Sequence, residues 1–86
     1  MKLDVKALAI TLAFFWGVLG MFLTAFGHLM SPGYGQAFLD VMASLYPGYE
    51  PTPTLANVAI GTLYGAVDGA FVGAFIAWMY NRLAKG

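Results

Sequence analysis

The chain contains no cysteine, which excludes disulfide frameworks, thiol chemistry and thiolate metal sites. Charge is almost as scarce. Charged residues make up 9% of the chain, four basic and four acidic, against roughly 25% in ordinary globular proteins. A water-facing surface cannot be assembled from so few charged side chains. The net charge is zero and no basic stripe is present, which excludes a nucleic-acid surface. Serine is limited to Ser31 and Ser44, and neither has a candidate base beside it in sequence. With no nucleophile–base pair, phosphate-cradling loop or paired carboxylates, the expectation is a protein that is not an enzyme and holds neither cofactor nor metal.

Hydrophobic residues fill 60% of the 86-residue sequence. They concentrate in two runs, Ala7–Leu29 and Leu55–Tyr80, the second interrupted by one charge, Asp68. About 20 apolar residues at ~1.5 Å each cross a ~30 Å hydrocarbon core, so both runs are long enough to span. In lipid the backbone must satisfy itself, and two isolated runs do so as helices. The reading is a single domain, residues 1–86, of the all-α membrane class. It is a two-transmembrane-helix antiparallel hairpin with spans at 7–29 and 55–80 and a connection at 30–54. Lys2 and Lys6 resemble the charged start of a signal peptide. The apolar run exceeds the ~7–15 residues of such a segment, however, and no small-x-small site follows, so an uncleaved span is expected.

The connection opens on Ser31-Pro32-Gly33 and closes on Pro47 to Pro53, both turn-forming. Between them, Phe38, Val41, Met42 and Leu45 recur at helical spacing, with Asp40 and Ser44 off that stripe. The pattern fits a short interfacial helix at the membrane surface or an ordered loop. Thr54 is a candidate cap for the second span. Lys2, Lys6, Arg82 and Lys85 all flank the ends, whereas the connection carries Asp40 and Glu50. The positive-inside rule then places both termini in the cytoplasm and the connection outside. Trp78 and Tyr80 would sit in one aromatic belt, with Tyr34, Tyr46 and Tyr49 in the other.

The most specific pattern is a glycine ladder. Gly61, Gly65, Gly69 and Gly73 recur at every fourth position, and Ala77 continues the series. Lipid supplies no hydrophobic drive for helix pairing, so small residues that admit close backbone contact mark the interfaces. At ~100° per residue, Ala59, Ala66, Ala70 and Ala77 widen this small-residue face, while Ile60, Val67, Phe71 and Trp78 gather opposite. The first span has one narrower seam, Ala9, Ala13, Gly17, Gly20, Thr24 and Gly27. The breadth of the second face predicts two partners: the first span, and a further surface of another copy or a larger membrane complex. The alternative is that all the glycines serve the hairpin alone.

Polar residues within the spans are few. A carboxylate at the bilayer centre costs roughly 2.5–3.5 kcal/mol on insertion scales, so Asp68 is expected to be protonated, paired or facing a wet interior. Asn57, Gly61, Tyr64 and Asp68 share one helical face, which predicts a Tyr64–Asp68 hydrogen bond. His28, near the outer end of the first span, lies at about the depth of Asn57 and reads as a hydrogen-bonding residue more than a metal ligand. Asp68, Tyr64, Asn57 and His28 are therefore the candidate ion, proton or interhelical polar site.

Met1-Lys2-Leu3 at the start, Leu45-Tyr46-Pro47-Gly48-Tyr49, and Gly65 to Gly73 followed by Ala77-Trp78-Met79-Tyr80-Asn81 together resemble an uncharacterised family of small bacterial two-helix membrane proteins. Some members carry the label "bacteriophage holin". The resemblance implies the bacterial inner membrane and no defined activity. The proteolipid ring subunit of rotary ATPases is also a hairpin with a carboxylate in its second helix. Its connection is short and basic and its glycines lie in the first helix, so membership is rejected. The functional expectation is an accessory or structural subunit, or a homo-oligomer, packed through glycine. The alternative is a homo-oligomeric, holin-like pore with Asp68 facing inward.

Overall fold

The computed structural model describes residues 2–84. Met1 and Lys85, which entered the resemblance and the charge argument, lie outside these residues. Every regular element among the described residues is helical. The first helix, α1, runs through Val5–Met30; α2 is Gln36–Leu45; α3 is Leu55–Leu83. Both α1 and α3 are long and apolar enough to cross a membrane. At ~1.5 Å per residue α3 is about 43 Å long and accounts for most of the longest dimension, 49 Å.

Asp4 starts α1 by accepting a hydrogen bond from the Ala7 amide at 3.0 Å, which satisfies one of the orphan donors of a first turn. Thr54 caps α3 in the same way, accepting from the Asn57 amide at 3.2 Å. At the other end, Arg82 stands in the last turn of α3, where the helix dipole favours a cation.

The two long helices meet through small residues, and the order of contacts runs in opposite directions along them. Gly61 lies beside Met21, Gly65 beside Met21 and Gly17, Gly69 beside Leu12 and Ala13, and Gly73 beside Leu8 and Ala9. A methyl group on Gly73 would fall 2.9 Å from the Ala9 Cα, and one on Gly65 would fall 3.1 Å from the Gly17 Cα. Backbone is pressed against backbone there. Asn81 holds the open ends together: its side chain accepts from the Leu3 amide at 2.7 Å and donates to the Leu3 carbonyl at 2.8 Å.

The interior of α1 contains a wide stretch, Phe15–Phe22, in which hydrogen bonds close over five residues; the Leu23 amide reaches the Val18 carbonyl. Gly17 and Met21 in this stretch and Ala25 beyond it are buried in one row.

This redirects the upper half of the expected α1 seam. Ala9, Ala13 and Gly17 face α3 as expected, but Gly20 lies under the ring of Trp16, Thr24 touches Gly35, and Gly27 lies against Tyr34. The connection occupies the positions at Thr24 and Gly27, α1's own Trp16 covers Gly20, and Met21, fully buried, takes over the contact with α3. The ladder of α3 is likewise occupied within the chain, with Gly61, Gly65, Gly69, Gly73 and Ala77 all buried. Ala66 lies against Gly17, whereas Ala59 stays exposed.

The connection packs on the helices. Gly35 enters α2 with φ +70°, a left-handed conformation suited to glycine, and Gly48 has φ +85° in the turn after it. In α2 the buried row is Leu39 and Met42, followed by Tyr46; of the apolar stripe read from the sequence, Met42 is buried and Phe38 packs on the core, while Val41 and Leu45 are exposed. Met21, Ala25, Leu39, Met42, Tyr46, Tyr49 and Val58 form the core, at the connection end of the molecule. Phe38 and Ile60 pack against it, Ile60 having been expected on the lipid side with Val67, Phe71 and Trp78.

Candidate functional site

Three side chains from three elements converge near the middle of the long helices. The Trp16 indole on α1 donates from Nε1 to Tyr46 Oη at 2.8 Å. Tyr46, the residue that ends α2, donates in turn from Oη to Asp68 Oδ2 on α3 at 2.8 Å. Aromatic packing fixes both donors. The Tyr46 and Tyr64 rings stack with centroids 4.9 Å apart and planes 9° apart. Trp16 meets Phe38 edge-on at 5.9 Å and 72°. A hydroxyl that accepts one hydrogen bond while donating another is polarised by both, which strengthens the relay.

Burial pushes the Tyr46 hydroxyl up to about 12; the Trp16 N–H opposes this rise and the Asp68 carboxylate adds to it. The hydroxyl therefore keeps its proton throughout the neutral range and acts as a fixed donor. Tyr49 is also raised, first by burial and then by the charge of Asp40. Both tyrosines are buried, at 6% and 4% exposure, and so are core residues, not the interfacial anchors expected of them; Tyr34, at 57%, is exposed.

Asp68 is half-buried. Among the described residues its Oδ1 has no hydrogen-bond partner. Asp68 is one of six residues lining a cleft of about 310 Å³, with Leu12, Phe15, Trp16, Gly69 and Val72, and the lining is almost wholly apolar. The relay thus holds Oδ2 of a residue that borders an apolar hollow.

The expected Tyr64–Asp68 hydrogen bond does not form. Tyr64 donates to the Pro47 carbonyl instead. Helical side chains lean toward the N-terminus of their helix, so the Tyr64 hydroxyl is carried up toward the connection and away from the residue one turn below. Tyr64 still contributes by supplying the ring on which Tyr46 stacks.

Asn57 and His28 act at the far end, apart from the relay. Asn57 Nδ2 donates to Thr54 Oγ1 at 3.0 Å, and its Oδ1 accepts from the Glu50 amide at 3.4 Å. His28 is 2% exposed, with Nδ1 3.1 Å from the Tyr34 carbonyl and Nε2 3.1 Å from the Pro51 carbonyl. The ring bridges the first and last thirds of the connection. A neutral imidazole donates to one of these carbonyls at a time, while a doubly protonated ring donates to both. Among the described residues, no three His, Cys, Asp or Glu side chains gather as a metal site.

The structure therefore divides the four sequence candidates into two groups. Asp68 and Tyr64 lie together in mid-molecule, and Asn57 and His28 staple the connection. Trp16 and Tyr46 were missed, although a signal for them exists. A carboxyl in a span with no basic residue needs neutral donors, and long side chains carrying an O–H or N–H are few in this sequence.

Comparison with known protein families, with curated proteins and with solved structures gives no match.

Proposed function

We propose that the chain is a non-enzymatic integral membrane protein whose α1 and α3 cross the bilayer as an antiparallel hairpin, and that it serves as a small accessory or structural subunit of a membrane assembly. One observation carries this reading. Broad apolar faces, among them Phe14, Phe15, Leu19, Leu63, Val67 and Phe71, are exposed along both helices, and they are broken at mid-length by the half-buried carboxyl of Asp68. Lipid accommodates the apolar faces. It does not accommodate a carboxyl with an unmet oxygen, for which polar protein surroundings are the usual setting.

Orientation follows from the same reading. Lys2 and Arg82 lie at the ends that Leu3 and Asn81 join, and the positive-inside rule assigns this end to the cytoplasm. Arg82 sits over the Trp78 ring at 5.7 Å, a pairing suited to an interfacial belt. The family resemblance points to the bacterial inner membrane. The homo-oligomeric pore with Asp68 facing inward is less well supported, because Tyr46 of the connection already holds one oxygen of that carboxyl.

The test is the mass and content of the complex extracted into native nanodiscs. An accessory subunit emerges with a second protein in fixed ratio and conducts no ions in liposomes. A lone monomer overturns the reading. A homo-oligomer with Asp68-dependent conductance also overturns it, in favour of the pore.

A further inference from the structure

We infer that the cleft beside Asp68 receives a basic side chain from a transmembrane helix of a partner protein, an inference that rests on the accessory-subunit reading. The argument begins with what is unmet. Tyr46 holds Oδ2 of Asp68, and Trp16 holds Tyr46, so the carboxyl is fixed in orientation with Oδ1 left over. Asp68 also lines a hollow of about 310 Å³ whose other walls, apart from Gly69, are the large apolar side chains Leu12, Phe15, Trp16 and Val72.

The size and chemistry of the hollow narrow the occupant. At about 310 Å³ the hollow has ample room for a lysine or arginine side chain. An apolar wall with one acceptor matches a lysine or arginine, whose methylene stem packs on carbon while its head donates to the carboxylate. An acyl chain fills the volume but offers Oδ1 no donor. A second copy offers no base at that depth either, because α1 and α3 carry no Lys or Arg between Ala7 and Tyr80. His28 is held by Tyr34 and Pro51 near the connection. The base must come from another protein.

The experiment uses the full chain in nanodiscs with single-span polyleucine peptides carrying Lys, Gln or Leu at the midpoint, and reads association by energy transfer. The Lys peptide is expected to bind roughly tenfold or more tightly than the Leu peptide. Asp68→Asn, which keeps an acceptor for Tyr46 but removes the charge, should abolish that preference. Val72→Phe, which fills the hollow and leaves the carboxyl in place, should weaken Lys-peptide binding while helix content stays unchanged. Equal binding of the three peptides overturns the inference, as does a Lys preference that survives Asp68→Asn. Asp68-dependent self-association that displaces the peptide assigns the hollow to a second copy and also overturns it. If no peptide binds while the native complex still contains a second protein, this inference alone fails; if the native protein is also a lone monomer, both fail.

Discussion

Tyr46 and Asp68 are joined by a 2.8 Å hydrogen bond, although one ends the short helix of the connection and the other lies midway along α3. The bond makes the connection part of the helix pair. It also supplies a donor at a depth where neither long helix carries a lysine or arginine, since Lys6 and Arg82 lie near the helix ends.

Tyr46→Phe removes that donor and the acceptor for Trp16 in one step, while the ring can still stack on Tyr64. Interhelical hydrogen bonds in membranes average about 0.6 kcal/mol and reach ~1.7. Losing both bonds should lower stability by about 1–2 kcal/mol. Reversible unfolding in mixed micelles checks this. Trp16 emission should shift as well, because its N–H loses a partner; an unchanged spectrum and stability would remove the relay from the account.

The glycine ladder should not respond uniformly to alanine. Gly69 faces the Leu12 backbone and Gly73 faces the Leu8 and Ala9 backbone, so an added methyl group forces α1 and α3 apart. At Gly61 the obstacles are the side-chain atoms of Tyr49 and Met21, of which the methionine is flexible and can move aside. Gly69→Ala and Gly73→Ala should each cost about 1–3 kcal/mol, the usual range for overpacking, and Gly61→Ala should cost less. Unfolding of the three variants in the same detergent gives the order directly.

Alkaline pH offers an independent probe of the core. Tyr46 rises from 10.0 to about 12 on folding, and Tyr49 also rises. A group whose folded pKa is raised contributes stability that is complete below its unfolded pKa. The contribution then fades as pH climbs through the folded value. Stability should therefore fall between about pH 10 and pH 12 on account of these hydroxyls. The difference between the protein and Tyr46→Phe should shrink across that window, which isolates Tyr46 from lysines titrating nearby. A difference that stays constant from pH 9 to pH 12 contradicts the assignment.

His28 controls the connection more than the helix pair. Replacing it with Leu removes the hydrogen bond that the ring gives to the Tyr34 or Pro51 carbonyl, and losing one such bond costs about 0.5–1.5 kcal/mol. The cost should appear as faster amide exchange and faster proteolysis between Ser31 and Pro53, with α1 and α3 little changed. If exchange in the connection is unaltered by His28→Leu, the bridging role is refuted.

Much of this architecture is legible from local pattern. Hydropathy sets two long apolar helices, expected at 7–29 and 55–80 and found at Val5–Met30 and Leu55–Leu83. The small extensions come from capping and end contacts that hydropathy does not weigh: Asp4 draws the start of α1 outward, and Asn81 holds the last turns of α3 to Leu3. Thr54 as a cap and the every-fourth-residue glycine row are likewise visible in sequence, since each depends on residues a few positions apart.

The tertiary structure decided which partner each of these surfaces meets. The ladder could serve a second molecule or the first helix, and within the chain Gly17 and Met21 of α1 lie against it. The face of α2 that turns inward, Leu39 and Met42, was decided by their clustering with Met21 and Ala25, whereas periodicity alone singles out Phe38, Val41, Met42 and Leu45. The donor for Asp68 was settled by geometry of the same kind. Tyr64, four residues away, leans toward Pro47, while Tyr46, 22 residues away, arrives from the connection. Helix formation and membrane-length hydropathy are sums over neighbouring residues, and a linear sequence carries them openly. A close contact between distant residues depends on how the whole chain shares one volume, and for Asp68 that sharing selected the tyrosine.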